Sequence, residues 1–166
     1  MRQFYDTFSS PVGDISVALN SDGAVIAAAF GGLAELRERF TADEVIRDAG
    51  RAADVRREIG EYFLGKRKTF AVRLSPSGTP FQQSVWRALQ KIPFGETRSY
   101  GELAATLGNP GAARAIGRAN GANPICLIIP CHRVIGSDGS LTGYAFGEDV
   151  KRQLLEHEQS ALPAGV

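Results

Sequence analysis

The sequence predicts an α+β protein built as two domains. Three observations carry this. Residues 1–74 mix strand-like alternation with helical patterns. A stretch dense in Ser, Pro and Gly, "SPSGTP" at 75–80, then interrupts the chain. Beyond it the pattern changes to helix upon helix, with one later apolar run. The expected division is a mixed α/β domain at 1–75, a linker and helix start at 76–82, and a second domain at 83–166.

The elements follow in order. Residues 1–30 read as strands. "DISVALN" alternates Ile15, Val17 and Leu19, the period of a half-buried strand. "SPVGD" and "NSDG" on either side are turn chemistry, so an antiparallel hairpin into "AVIAAAF" is expected. "GGLAELRERF" reads as a short helix. "AADVRREIGEYFLG" sets Val55, Ile59 and Phe63 four apart and stops at Gly65, an amphipathic helix. "KTFAVRL" alternates Phe70, Val72 and Leu74 as a strand would.

Past the linker, Thr79 stands three residues before Gln82 with Pro80 at the first helical position, a helix-start signature. The apolar face of that helix uses Phe81, Val85, Trp86 and Leu89. "IPFGETR" is a loop. Ser99 and Glu102 repeat the capping pattern and open "YGELAATLG". After the "NPG" turn, "AARAIGRANG" is a further helix carrying Arg114 and Arg118, in the layout of a helix-turn-helix. "ICLIIP" reads as a strand, "GSDGS" as a turn, and "DVKRQLLEHE" as a last helix with Val150, Leu154 and Leu155 apolar. "SALPAGV" reads as a frayed tail.

Composition narrows the function classes. Hydrophobic residues at 43% and charged residues at 22% suit a protein with a buried core. No apolar run approaches the ~18 residues that span a bilayer, and the N-terminus lacks a secretory h-region, so no membrane partner is expected. The two cysteines, Cys126 and Cys131, would face opposite sides of a strand, which argues against a mutual disulfide. Free thiols fit a reducing, cytoplasmic setting. There is no CxxC, and His132 and His157 lie far apart in sequence, so no metal is expected. Between Arg87 and Arg133 six basic residues face two acidic ones, which suits either an anionic ligand at one place or, the reading charge alone favours, a solvated helix face.

The densest chemistry lies in "NPICLIIPCHRVIG" at 123–136. A thiol attacks as the thiolate, and a free cysteine has a pKa of ~8.5, so it needs a base or positive surroundings. Cys131 is followed at once by His132 and Arg133. Direct contact between adjacent side chains requires a bend or an intervening water, and Pro130 makes a bend easier. Glu158 on the last helix is a candidate to orient the imidazole. Cys126 has only apolar neighbours and reads as structural.

"IIPCHRVIG" with its upstream "NP" strongly resembles the active-site signature of the O6-alkylguanine-DNA alkyltransferase family. "TPFQQSVWRALQKIPFGETRSYGELA", "GAARAIGRANGANPI", "LTGY" and "LLEHE" extend the likeness over about residues 79–158. The resemblance implies a small ribonuclease-H-like N-terminal domain and a winged-helix-like C-terminal domain. It implies a stoichiometric, irreversible transfer of an alkyl group from O6 of guanine, or O4 of thymine, in duplex DNA to a cysteine, without a cofactor. The flipped base would enter a pocket while the second helix of the helix-turn-helix lies in the minor groove. A monomer is implied, with cooperative loading on DNA as a variant.

The same resemblance assigns roles. Cys131 would be the nucleophile, His132 a base acting through water, Glu158 its orienting acid, and Asn123 the tie between turn and active-site strand. Arg114 would replace the flipped nucleotide, with Ala113, Gly117 and Arg118 on the same DNA-facing helix. Tyr100 would crowd the phosphate and Tyr144 would donate to the guanine ring. Backbone at Cys131 and Val134 would read the base edge, and the Ala145 amide would face O6. Two departures stand out. Phe146 occupies a position where the family often has glycine, and is expected to limit bulky O6-substituents. The N-terminal cysteines and histidines that hold zinc in some members are absent. Readings from other classes are a winged-helix regulator with a sensor thiol and a Cys-His hydrolase. A non-catalytic damage binder of the same family would lack Cys131.

Overall fold

The computed structural model describes residues 2–141 and 143–162. The chain divides into two compact units: Met1–Ser77 with Pro124–Ile128, and Gly78–Asn123 with Ile129–Val166. No helix among the described residues is long and apolar enough to cross a membrane.

The first unit is a four-stranded sheet with two helices. Strands β1 (Arg2–Ser10), β2 (Gly13–Leu19), β3 (Val25–Phe30) and β4 (Glu44–Arg47) lie in the order β3-β2-β1-β4. The expected β2–β3 hairpin forms, antiparallel, with Ile15 opposite Phe30. β1 pairs antiparallel with β2 and parallel with β4. β4 was not foreseen, because "EVIR" is only four residues long and alternates weakly. Ile15, Val17 and Leu19 are buried, but so are the intervening Ser16 and Ala18, so β2 is covered on both faces and not half-buried; the small Ala27, Ala28 and Ala29 of β3 are fully buried as well.

Helix α1 (Leu33–Arg37) and helix α2 (Ala53–Phe63) complete this unit's regular structure. On α2, Val55, Ile59 and Tyr62 are buried. Tyr62, not Phe63, takes the inward position, as the 3.6-residue period allows for either neighbour. Glu58 is buried on the same face and accepts the backbone N–H groups of Ala71 and Val72 at 2.8 and 3.3 Å. That explains why "KTFAVRL" forms no regular strand. Its amides are drawn to a carboxylate, and only a single bridge, Leu74 to Val25, joins it to β3. Further along the same edge of β3, Ala28 bridges to Ile125, with Ala28 N–H donating to Pro124 O at 2.9 Å.

The expected strand "ICLIIP" is therefore one bridge followed by turns. Leu127 has φ +70°, the only non-glycine with positive φ among the described residues. The Ile128 N–H closes a tight turn over it onto Cys126 O at 2.8 Å. Such backbone costs about 1–3 kcal/mol and persists only where its surroundings over-determine it.

The second unit is mostly helical. Helix α3 (Pro80–Gln90) is capped by Thr79, whose side chain accepts from Gln82 N while Gln82 reaches back, as the sequence predicts. Val85, Trp86 and Leu89 are buried, but Phe81 is 41% exposed. Strand β5 (Arg98–Ser99) leads into helix α4 (Tyr100–Thr106), capped by Ser99 and Glu102. A 3-10 turn (Pro110–Ala112) opens helix α5 (Ala113–Gly121). Trp86 Nε1–H donates to Ala119 O at 2.9 Å and locks α3 to α5. Strand β6 (Val134–Ile135) pairs parallel with β5, and helix α6 (Glu148–Ser160) closes the unit.

Candidate active site

Two asparagines at the end of α5 build the site's backbone. Asn123 Nδ2 donates to Ile129 O at 2.8 Å, and Asn120 Nδ2 donates to Cys131 O at 3.3 Å. They hold the chain on both sides of Pro130. At Pro130 (φ −81°, ψ 66°) the chain bends, and Cys131 N–H turns back onto Ile129 O at 2.8 Å. Cys131, His132 and Arg133 then form a 3-10 turn. The thiol is thus on a turn of about three residues per revolution, not on a strand whose neighbours point to opposite faces. All three side chains are buried, at 5%, 0% and 5% exposure.

α6 supplies the charges. Its inward positions are Lys151, Leu154 and Glu158, spaced three and four apart. His132 Nε2 lies 2.7 Å from Glu158 Oε2. Arg133 donates from Nε to Oε1 at 2.9 Å and from its terminal nitrogen to Oε2 at 3.1 Å, and its other nitrogen donates to Ile92 O at 2.7 Å. Gly95 N–H adds a bond to Oε1 at 3.3 Å. Lys151 Nζ donates to Val134 O at 2.6 Å.

The protonation states follow. Burial alone would raise Glu158, but the hydrogen bond from His132 and the hydrogen bonds and charge of Arg133 outweigh it and hold the carboxyl far below its usual range. A carboxylate only accepts, so the short contact requires the proton on His132 Nε2. Burial pushes His132 below its usual 6.5; Glu158 opposes this, and Arg133 and Lys151 add to it. The imidazole is therefore neutral with its lone pair on Nδ1, a buried atom with no hydrogen bond among the described residues. Burial also lowers Lys151, against the raising effect of Cys131 and Glu148.

Tyr100, first residue of α4, is set beside this turn by the β5–β6 pairing. Burial raises its pKa, the Cys131 charge raises it further, and a hydrogen bond with Asn120 works the other way. Gly117 of α5 lies beside it: a Cβ there would sit at ordinary contact distance, 3.8 Å, from the Tyr100 ring. Arg114 and Arg118 are exposed, one turn apart on α5, while Ala113 and Gly117 are half-buried beside them. Val134 is buried next to the turn. Tyr144 is buried and meets Phe146 edge-on at 5.6 Å, in a turn closed by Gly147 N–H on Tyr144 O, with Ala145 exposed. The structure thus gathers Cys131, His132, Glu158, Asn123, Val134 and Tyr100, and leaves the α5 arginines at the surface.

Residues 80–160 match the family model described as 6-O-methylguanine DNA methyltransferase, DNA binding domain, and residues 3–76 match that of its ribonuclease-like domain. The chain belongs to the 6-O-methylguanine DNA methyltransferase family. Among its relatives is a methylated-DNA--protein-cysteine methyltransferase of Methanosarcina acetivorans, 45% identical over 157 residues, covering 95% of this chain and 99% of that one. One of the same name from Mycobacterium tuberculosis is 46% identical over 162 residues, covering 96% and 94%. The crystal structure of Mycobacterium tuberculosis OGT in complex with DNA superposes with a TM-score of 0.86 at 45% identity, over 97% of this chain and 96% of that one.

Within this family's frame, sequence reasoning missed Lys151, Asn120 and the role of Arg133 as a ligand of Glu158. The signal for Lys151 and Glu158 was present: both fall on the register of Leu154, the apolar side of α6. A charge at a core position is paired or functional.

Proposed function

We propose that this protein repairs O6-alkylguanine in duplex DNA by a single irreversible transfer of the alkyl group to Cys131. The Cys131 Sγ attacks the O6-bound alkyl carbon. The new S–C bond forms as the C–O6 bond breaks, and the electron pair leaves with the guanine. The thiol proton passes through a water to His132 Nδ1, with Glu158 fixing the ring from its other nitrogen. A donor to the base ring then offsets the negative charge on the leaving guanine. Tyr144 takes that role, and Tyr100, which stands in the field of Cys131, stabilises the same region. Backbone at Val134 and Cys131 reads the base edge, and the Ala145 amide meets O6.

The observation that carries this reading is a buried thiol on the same short turn as a neutral imidazole, itself held by a buried carboxylate. A cysteine kept for packing needs neither. On DNA, Arg114 fills the place of the flipped nucleotide. Arg118, Ala113 and Gly117 line the face of α5 that enters the minor groove, and the protein acts as a cytoplasmic monomer. No cofactor takes part.

The test is intact-mass analysis after incubation with an O6-methylguanine duplex. The expected result is one added methyl per chain, located at Cys131, with none in Cys131→Ser, which still binds the duplex. Repeated turnover, or methyl on Cys131→Ser, rejects the reading. Phe146, edge-on to Tyr144, narrows the pocket rim. Phe146→Gly is therefore expected to react faster with O6-benzylguanine than the wild type, and equal rates remove that role.

A further inference from the structure

Given the alkyl transfer proposed above, we propose that Arg133 is a positioning residue for it: its fork occupies Glu158 so that the carboxylate orients the His132 imidazole without loading it with a proton. A carboxylate beside a histidine has two effects. It fixes the ring, and it attracts a proton to it. A base for a thiol needs the first and is disabled by the second, because an imidazolium has no lone pair left to accept.

The geometry resolves this conflict. Glu158 Oε1 receives Arg133 Nε at 2.9 Å and Gly95 N–H at 3.3 Å. Oε2 receives the terminal nitrogen of Arg133 at 3.1 Å and His132 Nε2 at 2.7 Å. An ionised carboxylate offers about four acceptor sites, and here four donors fill them. The Arg133–Glu158 pair carries no net charge, so the imidazole faces a balanced pair and not a bare anion. A proton added to His132 would leave the buried group with uncompensated positive charge, which is costly out of water. The other groups near His132 do not reverse this. Lys151 adds positive charge, Cys131 is not among the groups that shift His132, and burial holds Tyr100 in its neutral form.

The fork is itself anchored. Its remaining nitrogen donates to Ile92 O at 2.7 Å, and the guanidinium lies 5.8 Å from the Phe94 ring centre. A lysine could supply the charge but not two parallel bonds. Direction and charge are therefore separable by substitution.

The experiment follows single-turnover methyl transfer by the full chain from an O6-methylguanine duplex as a function of pH, for wild type, Arg133→Met and Arg133→Lys. Arg133→Met is expected to move the acidic limb of the rate profile to higher pH by about one unit, the scale of one neighbouring charge. Arg133→Lys is expected to return the limb towards its wild-type position while the plateau rate stays low. A folded Arg133→Met whose acidic limb has not moved overturns the proposal and leaves Arg133 a purely structural residue. If Arg133→Met does not fold, nitrogen NMR of His132 decides. The wild type and Arg133→Lys must hold a neutral ring protonated at Nε2 at neutral pH, and an imidazolium there in the wild type overturns it. A wild type that transfers no methyl at any pH sinks the reaction instead, and the NMR result still rules on Arg133.

Discussion

Both units bury carboxylates near arginines, and Asp6 of the first is built differently from Glu158 of the second. In the first unit Asp6, with a side chain 2% exposed, meets Arg47 at 3.1 Å and Arg56 at 3.6 Å, and both arginines are more than half exposed. In the second, Glu158 is 1% exposed and its partners His132 and Arg133 are buried too, at 0% and 7%. An acid whose partners stand in water is anchored but little coupled, since solvent screens the pair. An acid whose partners are buried fixes their protons as well as their positions. Sealing the partners, more than burying the acid, turns an ion pair into a device for chemistry.

The largest effect expected from this contrast is at Glu158. Glu158→Gln leaves Arg133 buried with half its pairing, so a loss of about 3–5 kcal/mol is expected in denaturant melts. Methyl transfer by the folded fraction should fall by about 10²–10⁴-fold. Near-normal transfer would place the imidazole's orientation elsewhere.

The next test is pH. Glu158 and His132 both have folded pKa values depressed below 4.5 and 6.5. For both, the unfolded chain binds protons first on acidification. Stability is therefore fully present above 6.5, begins to fall as pH drops through that value, and falls again below 4.5. Thermal melts should follow this slope, and Arg133→Lys should keep it. A midpoint flat from neutral pH down to 4.5 contradicts the assignment of His132.

The smallest effects belong to the first unit. Asp6→Asn should cost about 1–3 kcal/mol, the scale of a charged hydrogen bond lost at a buried group. Arg47→Ala should cost about 0–1 kcal/mol, as exposed pairs do. Neither should change the methyl-transfer rate. If Arg47→Ala proved as costly as Glu158→Gln, partner exposure would not be the deciding variable.

The same contrast explains what could be read in the sequence. Helix starts were legible because Thr79–Gln82 and Ser99–Glu102 are local: the cap and its partner lie three residues apart. The β2–β3 hairpin was legible from its turn residues and its alternation. Where a distant polar group took over the backbone, the reading failed. Glu58 pulled "KTFAVRL" out of regular pairing, and Asn123 with the bend at Pro130 replaced the strand before Cys131 by turns. Cys131 and His132 were visible as neighbours, and Glu158 as an acid on the last helix. Asn120 was not, because its role depends on which backbone carbonyl stands opposite, and a linear pattern does not encode that; Lys151 stood on the apolar register of α6 but its carbonyl partner could not be read.

The five residues from Pro124 to Ile128 belong to the first unit although the chain reaches them only after most of the second. A gene split at the Ser77–Gly78 boundary therefore does not separate two complete folding units. The front fragment would lack its Ile125 bridge on β3, and the rear fragment would carry an orphaned apolar stretch directly ahead of Cys131. Cotranslationally, the first unit cannot finish until residue 128 has left the ribosome, so its completion and the shaping of the cysteine turn fall at the same point in synthesis.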